Sequence, residues 1–183
     1  MVAVSDSELL FPRTVIPAAI QARVGSDIEI RPLAKSDHTR GHFELLSVLT
    51  EAPSVSAERY VERFQSMKAC KDTYYTVAFI HKPTDKLVAV GTVFLERKFL
   101  RGTGVVGHIE DIAVSKSMQG RKLGLYLINS LEEIARSTGC YKVILDCSKD
   151  NIPFYEKCGF QLKEYEMAMY LNSGSSVVPN ARM

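Results

Sequence analysis

Glu110 and Asp111 stand side by side in HIEDIAV (108–114), a run that otherwise reads as a buried strand. Ile109, Ile112 and Val114 are strand formers. A carboxylate in an apolar run is costly unless it finds a partner or a solvated cavity. Neighbours on a strand point to opposite faces, so these two are not an obvious acid/base pair, although a bulge could let both approach one cavity. The next stretch, SKSMQGRKLG (115–124), sets Gly120 and Gly124 around Arg121 and Lys122 at the expected start of a helix. Unpaired N–H groups at a helix N-terminus bind phosphate, and small residues admit it closely. An ordinary strand-to-helix turn would read the same way. Neither G-x-x-x-x-G-K-[ST] nor G-x-G-x-x-G is present. Another acid, Asp146, sits late in the apolar run YKVILDC (141–147), where it could serve a substrate or cap the next helix.

The elements that must position these groups follow from periodicity. DIEIRPL (27–33) reads as a first strand ended by Pro32. Ser36 or Asp37 can cap a helix over 37–51, which Pro53 breaks. Ser56 caps a second helix over 57–70. YYTVAFIHK (74–82) and LVAVGTVFLER (87–97) form a hairpin through PTDK. GVVGHIEDIAV (104–114) is the next strand. Residues 119–137 form an amphipathic helix with Leu123, Leu127, Leu131 and Ile134 on one side, ended by Gly139. YKVILDC predicts a strand buried on both faces. Asn151 opens a short helix that Gly159 closes, and FQLKEYEMAMYL (160–171) is expected as the last strand. This order predicts an α/β fold: a mixed, mostly antiparallel twisted sheet flanked by helices. An N-terminal arm (1–26) precedes one domain (27–171), and a flexible tail (172–183) follows.

Composition excludes several classes. A chain of 183 residues can bury one proper core. A net charge of +2 with no Lys/Arg run argues against nucleic acid. No stretch approaches the roughly 20 apolar residues of a membrane span. MVAVSDSELLFPRT lacks the pattern of a signal peptide. Cys70, Cys140, Cys147 and Cys158 form no C-x-x-C pair, so no metal is expected. Free thiols fit a reducing compartment, and a cytoplasmic location is expected.

Together the pieces resemble the GNAT superfamily of acyl-CoA-dependent N-acyltransferases over roughly 27–171. That family's pyrophosphate loop reads Gln/Arg-x-x-Gly-x-Gly/Ala. Gln119, Leu123 and Gly124 fit it, and Lys122 stands where the first glycine belongs. Within the superfamily, GHIEDIAV, QGRKLG, GCYKVILDC and NIPFYEKCGF, in that order, resemble the glucosamine 6-phosphate N-acetyltransferase family. That family makes N-acetylglucosamine 6-phosphate on the route to UDP-GlcNAc, as homodimers whose active sites are shared between subunits.

The resemblance implies acetyl-CoA as co-substrate. Ile112, Ala113 and Val114 would line its acetyl end. Gln119, Gly120, Arg121, Lys122, Leu123 and Gly124 would hold its pyrophosphate. Asn151 would touch its pantetheine arm, or only cap a helix. The fourth strand would splay from its neighbour and turn backbone N–H groups to the acetyl carbonyl. Glu110 and Asp111 would line the sugar and acetyl sites, and Asp146 would lie near the amine. Tyr155, in NIPFYEKCGF, would sit beside the thiol sulfur, where a phenol of pKa about 10 can donate to a thiolate whose thiol lies near 8.5. These four are the catalytic candidates. For the sugar phosphate the resemblance offers Lys98 and Arg101 in ERKFLRG, Thr50 in VLTEAP, and Tyr141 with Lys142 across the dimer. It also leads to a basic residue near the end of the last strand, where this chain has Tyr170. Either Tyr170 makes that contact or Arg101 and Lys142 carry more of it. Two alternatives stay open: a GNAT enzyme acting on protein lysines or N-termini, and a non-catalytic acyl-CoA-binding module.

Overall fold

The runs of apolar residues become strands where a neighbour can satisfy their backbone, and helices where they cover the sheet. The computed structural model describes residues 4–171, so the expected tail (172–183) lies outside the described residues. The strands are β1 (Ile28–Pro32), β2 (Tyr74–His81), β3 (Lys86–Arg97), β4 (Val105–Val114) and β5 (Cys140–Ile144). The helices are α1 (Ala18–Gln21), α2 (His42–Leu46), α3 (Ala57–Ala69), α4 (Leu100–Thr103), α5 (Leu123–Ser137) and α6 (Ile152–Lys157). The sheet runs in sequence order, antiparallel from β1 to β4 and parallel between β4 and β5.

The core sits on β3. Its residues are buried at both parities from Leu87 to Val93, so both faces of the sheet's centre are covered. On one face Leu127, Ile128, Leu131 and Ile134 of α5 are fully buried. Gly107 admits that helix: a Cβ there would stand 3.3 Å from Ala135 and 3.1 Å from Val93. Ser56 caps α3 by accepting the Arg59 N–H, and Tyr60 and Phe64 bury one side of it.

Of the described residues, those up to Leu145 form one compact unit, and a second begins at Asp146. The N-terminal arm belongs to the first. Leu9, Leu10, Phe11, Ile20 and Val24 are buried, and Phe11 packs edge-on to Tyr75 at 5.0 Å. Among the described residues no helix is long and apolar enough to cross a membrane.

The structure corrects four expectations. The helix over 37–51 is split into a 3-10 turn (Asp37–Arg40) and α2 by Gly41, which takes φ +86°. Neither Ser36 nor Asp37 caps it. Asp37 instead accepts both terminal nitrogens of Arg31 at 2.7 Å and the Ala34 N–H at 2.7 Å. Arg31 and Asp37 are 1% and 0% exposed, so the demand to pair a buried charge overrides local helix propensity. The helix expected from 119 starts at Leu123, because Gly120 and Lys122 are left-handed. β5 is not buried on both faces: it is an edge strand with Tyr141 and Ile144 exposed. Residues 160–171 join no ladder, and Tyr165 and Met167 are 91% and 95% exposed. A strand exists by pairing, and among the described residues this segment finds no partner strand.

Candidate active site

β4 carries a bulge at the two carboxylates. Val90 pairs with Ala113 and Thr92 with Glu110, so Asp111 and Ile112 together oppose Gly91. Asp111 takes φ +57° to make the extra turn. Ile109 and Ala113 remain buried, while Glu110 and Asp111 are both exposed. Gly91 makes room for the bulge. A Cβ there would meet Ile112 Cδ1 at 2.4 Å, with Leu131 and Leu127 behind it at 3.2 and 3.3 Å. At the same place β4 and β5 part. Their ladder ends at His108 and Ile144, and β4 runs on to Val114 paired with β3. The parting opens the β5-facing edge of the strand beside the carboxylates.

The chain then turns into α5. Ser115 donates to the Val88 carbonyl at 2.8 Å, and Lys116–Met118 form a 3-10 turn. Gly120 takes φ +80°, with open space where a Cβ would stand. Lys122 takes φ +58° and ψ +22°. A non-glycine residue there costs about 1–2 kcal/mol, so the departure from the glycine pattern is absorbed as strain. The bond from Tyr126 N–H to the Lys122 carbonyl, at 3.1 Å, opens the helix, and no side chain caps it. Leu123, Gly124 and Leu125 therefore have N–H groups without an intrahelical acceptor. With the helix dipole, that donor set suits a pyrophosphate. Leu123 itself is buried at the start of the helix. The Arg121 guanidinium is turned onto Asp27, with both contacts within 2.8 Å. That pairing holds the Asp27 carboxyl below the usual carboxylate range.

Four of the expected phosphate contacts, Lys98, Arg101, Tyr141 and Lys142, sit around the β3–β4 connection and β5. Lys98 donates its backbone N–H to Gly104 at 2.9 Å, closing the loop. Arg101 lies over the Tyr141 ring at 5.8 Å, and a Cβ on Gly104 would stand 2.9 Å from that ring. Lys98 Nζ is 2.6 Å from Glu96, whose other oxygen is 2.9 Å from His108 Nε2. Lys98 first, then His108, hold the Glu96 carboxyl below its usual range. His108 stacks on Phe94 at 4.5 Å, a structural seat for that ring. Lys142 of β5 pairs with Val106 of β4, and Thr50 is exposed beyond α2.

Asp146, Asn151 and Tyr155 belong to the second unit. Asp146 is exposed. Asn151 precedes α6 and makes no side-chain cap. Tyr155 is half-buried between Phe154 at 5.1 Å and Phe160 at 6.1 Å. Burial, then Cys147 and Cys158, push its phenol above the usual tyrosine range, so it keeps its proton at neutral pH.

Comparison with known proteins decides the family. The model of the acetyltransferase (GNAT) family matches residues 42–160. The chain belongs to the GNAT acetyltransferase family. It is 43% identical over 148 residues to glucosamine 6-phosphate N-acetyltransferase 1 of Dictyostelium discoideum, covering 81% of this chain and 94% of the relative. It is 44% identical over 145 residues to glucosamine 6-phosphate N-acetyltransferase of Trypanosoma brucei brucei, covering 79% and 97%. The crystal structure of glucosamine-6-phosphate N-acetyltransferase from Arabidopsis thaliana superposes with a TM-score of 0.77 at 40% identity, over 79% of this chain and 99% of that one.

Three residues that shape this GNAT site escaped the sequence reading. Gly91 interrupts the apolar run LVAVGTVFL, and a lone glycine in a strand signals a bulge or a close approach. Glu96 stands two residues before Lys98, a spacing that brings alternate strand residues to one face. Asp27 reaches Arg121 across 94 residues, and no local pattern carries that signal.

Proposed function

We propose that this chain transfers the acetyl group of acetyl-CoA to the amine of D-glucosamine 6-phosphate, giving N-acetyl-D-glucosamine 6-phosphate for UDP-GlcNAc synthesis. One observation carries the reading. In a chain over 40% identical to relatives of that name, a bulge exposes two adjacent carboxylates where β4 leaves β5, directly before a loop of orphan N–H donors.

The chemistry follows from those parts. An amino-sugar nitrogen titrates near 8, like an α-amino group, so a useful fraction is unprotonated at neutral pH. Glu110, Asp111 and Asp146 orient the amine and accept its proton. Backbone N–H groups of the parted strand, from Ile112 to Val114, stabilise the developing oxyanion. The loop from Gln119 to Gly124 holds the pyrophosphate, and Asn151 holds the pantetheine arm. Tyr155 donates to the departing thiolate. Lys98, Arg101, Lys142, Tyr141 and Thr50 receive the sugar phosphate, with Tyr170 in the place of a basic contact.

The enzyme is a homodimer in this reading, with active sites shared between subunits. Two features, each taken by itself, support a second copy as what covers them: the exposed edge strand β5, and an apolar segment with Leu162, Met167, Met169 and Leu171 open to solvent. Light scattering is expected to give twice the chain mass, and an active monomer at assay concentration overturns the dimer. The four free thiols suit the cytoplasm.

Thiol release tests the phosphate clamp. Charge-assisted hydrogen bonds to phosphate are strong, so kcat/KM for glucosamine 6-phosphate is expected to exceed that for glucosamine at least roughly tenfold. Arg101→Ala is expected to raise KM for the phosphorylated sugar and leave that for acetyl-CoA unchanged. Equal kcat/KM for the two sugars removes the clamp.

A further inference from the structure

The junction between the N-terminal arm and β1 reaches the loop at the start of α5. Asp27, at the entry to β1, takes Arg121 NH1 on Oδ2 at 2.8 Å and NH2 on Oδ1 at 2.7 Å. Gly25 lies against this pair so closely that a Cβ would stand 2.5 Å from Asp27 Oδ1 and 2.8 Å from Arg121 NH2. Asp27 is itself held from behind. The Lys82 N–H donates to its carbonyl at 2.8 Å, and Lys82 Nζ donates to the Ser26 carbonyl at 2.6 Å. His81 Nε2 faces the same carboxylate at 3.4 Å. Gln21 fastens the arm to β1 by donating to the Ile28 carbonyl at 2.9 Å and accepting the Ile30 N–H at 2.7 Å. Further along, the Arg23 guanidinium lies over the Tyr126 ring of α5 at 5.2 Å.

What the grip holds is a strained turn. Arg121 stands between Gly120 and Lys122, both left-handed, and Lys122 has no glycine freedom to ease it. A loop of this kind keeps its path only where its surroundings impose it. The arm, the β2–β3 hairpin and Arg121 supply that constraint from the side of the sheet.

We infer that Asp27 is a positioning residue for acetyl-CoA: it anchors the Arg121 side chain and so presets the loop's N–H donors for the pyrophosphate. The inference rests on the acetyl-CoA site proposed above. It divides Arg121 in two, with its backbone serving the ligand and its side chain serving the fold of the loop. Pre-set donors bind more tightly because less order is lost on binding.

The test compares wild type, Asp27→Asn, Asp27→Glu, Arg121→Gln and the Asp27→Asn/Arg121→Gln double variant, all as full chains. The Kd for coenzyme A, kcat, and KM for each substrate are measured. Asp27→Asn is expected to raise the Kd and the acetyl-CoA KM roughly fivefold, the scale of a half-exposed ion pair. The sugar KM and kcat stay within twofold, as a merely structural lesion would not arrange. Asp27→Glu, which keeps the charge, recovers most of the loss. The double variant is no worse than either single one, because both remove the same anchor. An unchanged or tighter acetyl-CoA KM in Asp27→Asn overturns the inference, the tighter one by making Asp27 a competitor of phosphate. Additive losses overturn it as well. A wild type that binds no coenzyme A removes the site itself, and the inference with it, whereas wild-type binding with an indifferent Asp27→Asn removes the inference alone.

Discussion

Tyr155→Phe is expected to lower kcat on the order of 10²-fold, the effect of one general acid, and to leave the affinity for acetyl-CoA unchanged. The ring stays, so its packing against Phe154 and Phe160 stays with it. Only the hydroxyl is lost. A donor to the leaving thiolate strengthens its interaction as the C–S bond breaks and contributes little before that. Differential interactions of this kind speed the chemical step. The environment suits the role, because burial holds the phenol protonated well past neutral pH. The loss is expected to shrink with an acyl donor whose thiol is more acidic, since that thiolate needs less help. Steady-state kinetics with both donors, beside a binding measurement, checks it. An unchanged kcat returns Tyr155 to the hydrophobic core. A weakened affinity with normal kcat makes it a binding residue only.

Asp37→Ala is expected to destabilise the fold by about 3–5 kcal/mol, the cost of stranding one member of a buried ion pair. Arg31 keeps a bond to the Pro32 carbonyl at 2.9 Å but loses both contacts to its counter-ion. The Ala34 N–H loses its acceptor too. Arg40, which ties Asp37 to Asp85 in the β2–β3 turn, loses one end of its bridge. Urea unfolding at fixed protein concentration reads the change, since association also contributes to apparent stability. Replacing both partners with apolar residues, Arg31→Met with Asp37→Leu, is expected to recover most of the loss, because no unpaired charge then remains. A single-variant loss below about 1 kcal/mol would place the pair in effective contact with solvent.

The sequence was most legible where one residue and its neighbours decide the structure. Ser56 capping α3, Gly159 closing α6 and the hairpin of β2 and β3 are local decisions, and each stands as read. The alternating and continuous apolar runs likewise placed the strands of the sheet from β1 to β4. Reading failed where a distant partner decides. Asp37 looks like a helix cap until Arg31 claims it. β5 looks doubly buried because its apolar residues are those of a strand covered on both faces, and 160–171 has the alternation of a strand with no ladder here to join. At the candidate site, Glu110 and Asp111 stood out by violating the apolar pattern of their strand. The glycine that admits their bulge carried a local signal, a lone glycine inside an apolar strand, whereas the aspartate that pairs with Arg121 obeys every local rule, so nothing marked it.

The central claim is acetyl transfer to the amine of glucosamine 6-phosphate, and one assay tests it most directly. Thiol release from acetyl-CoA is followed with glucosamine 6-phosphate, with a lysine peptide or with no acceptor, and the product is identified by mass. The account predicts thiol release that requires the sugar phosphate, with one N-acetylated sugar phosphate formed per thiol. Release supported by the peptide and not by the sugar phosphate, or no release above the acceptor-free rate, would contradict it.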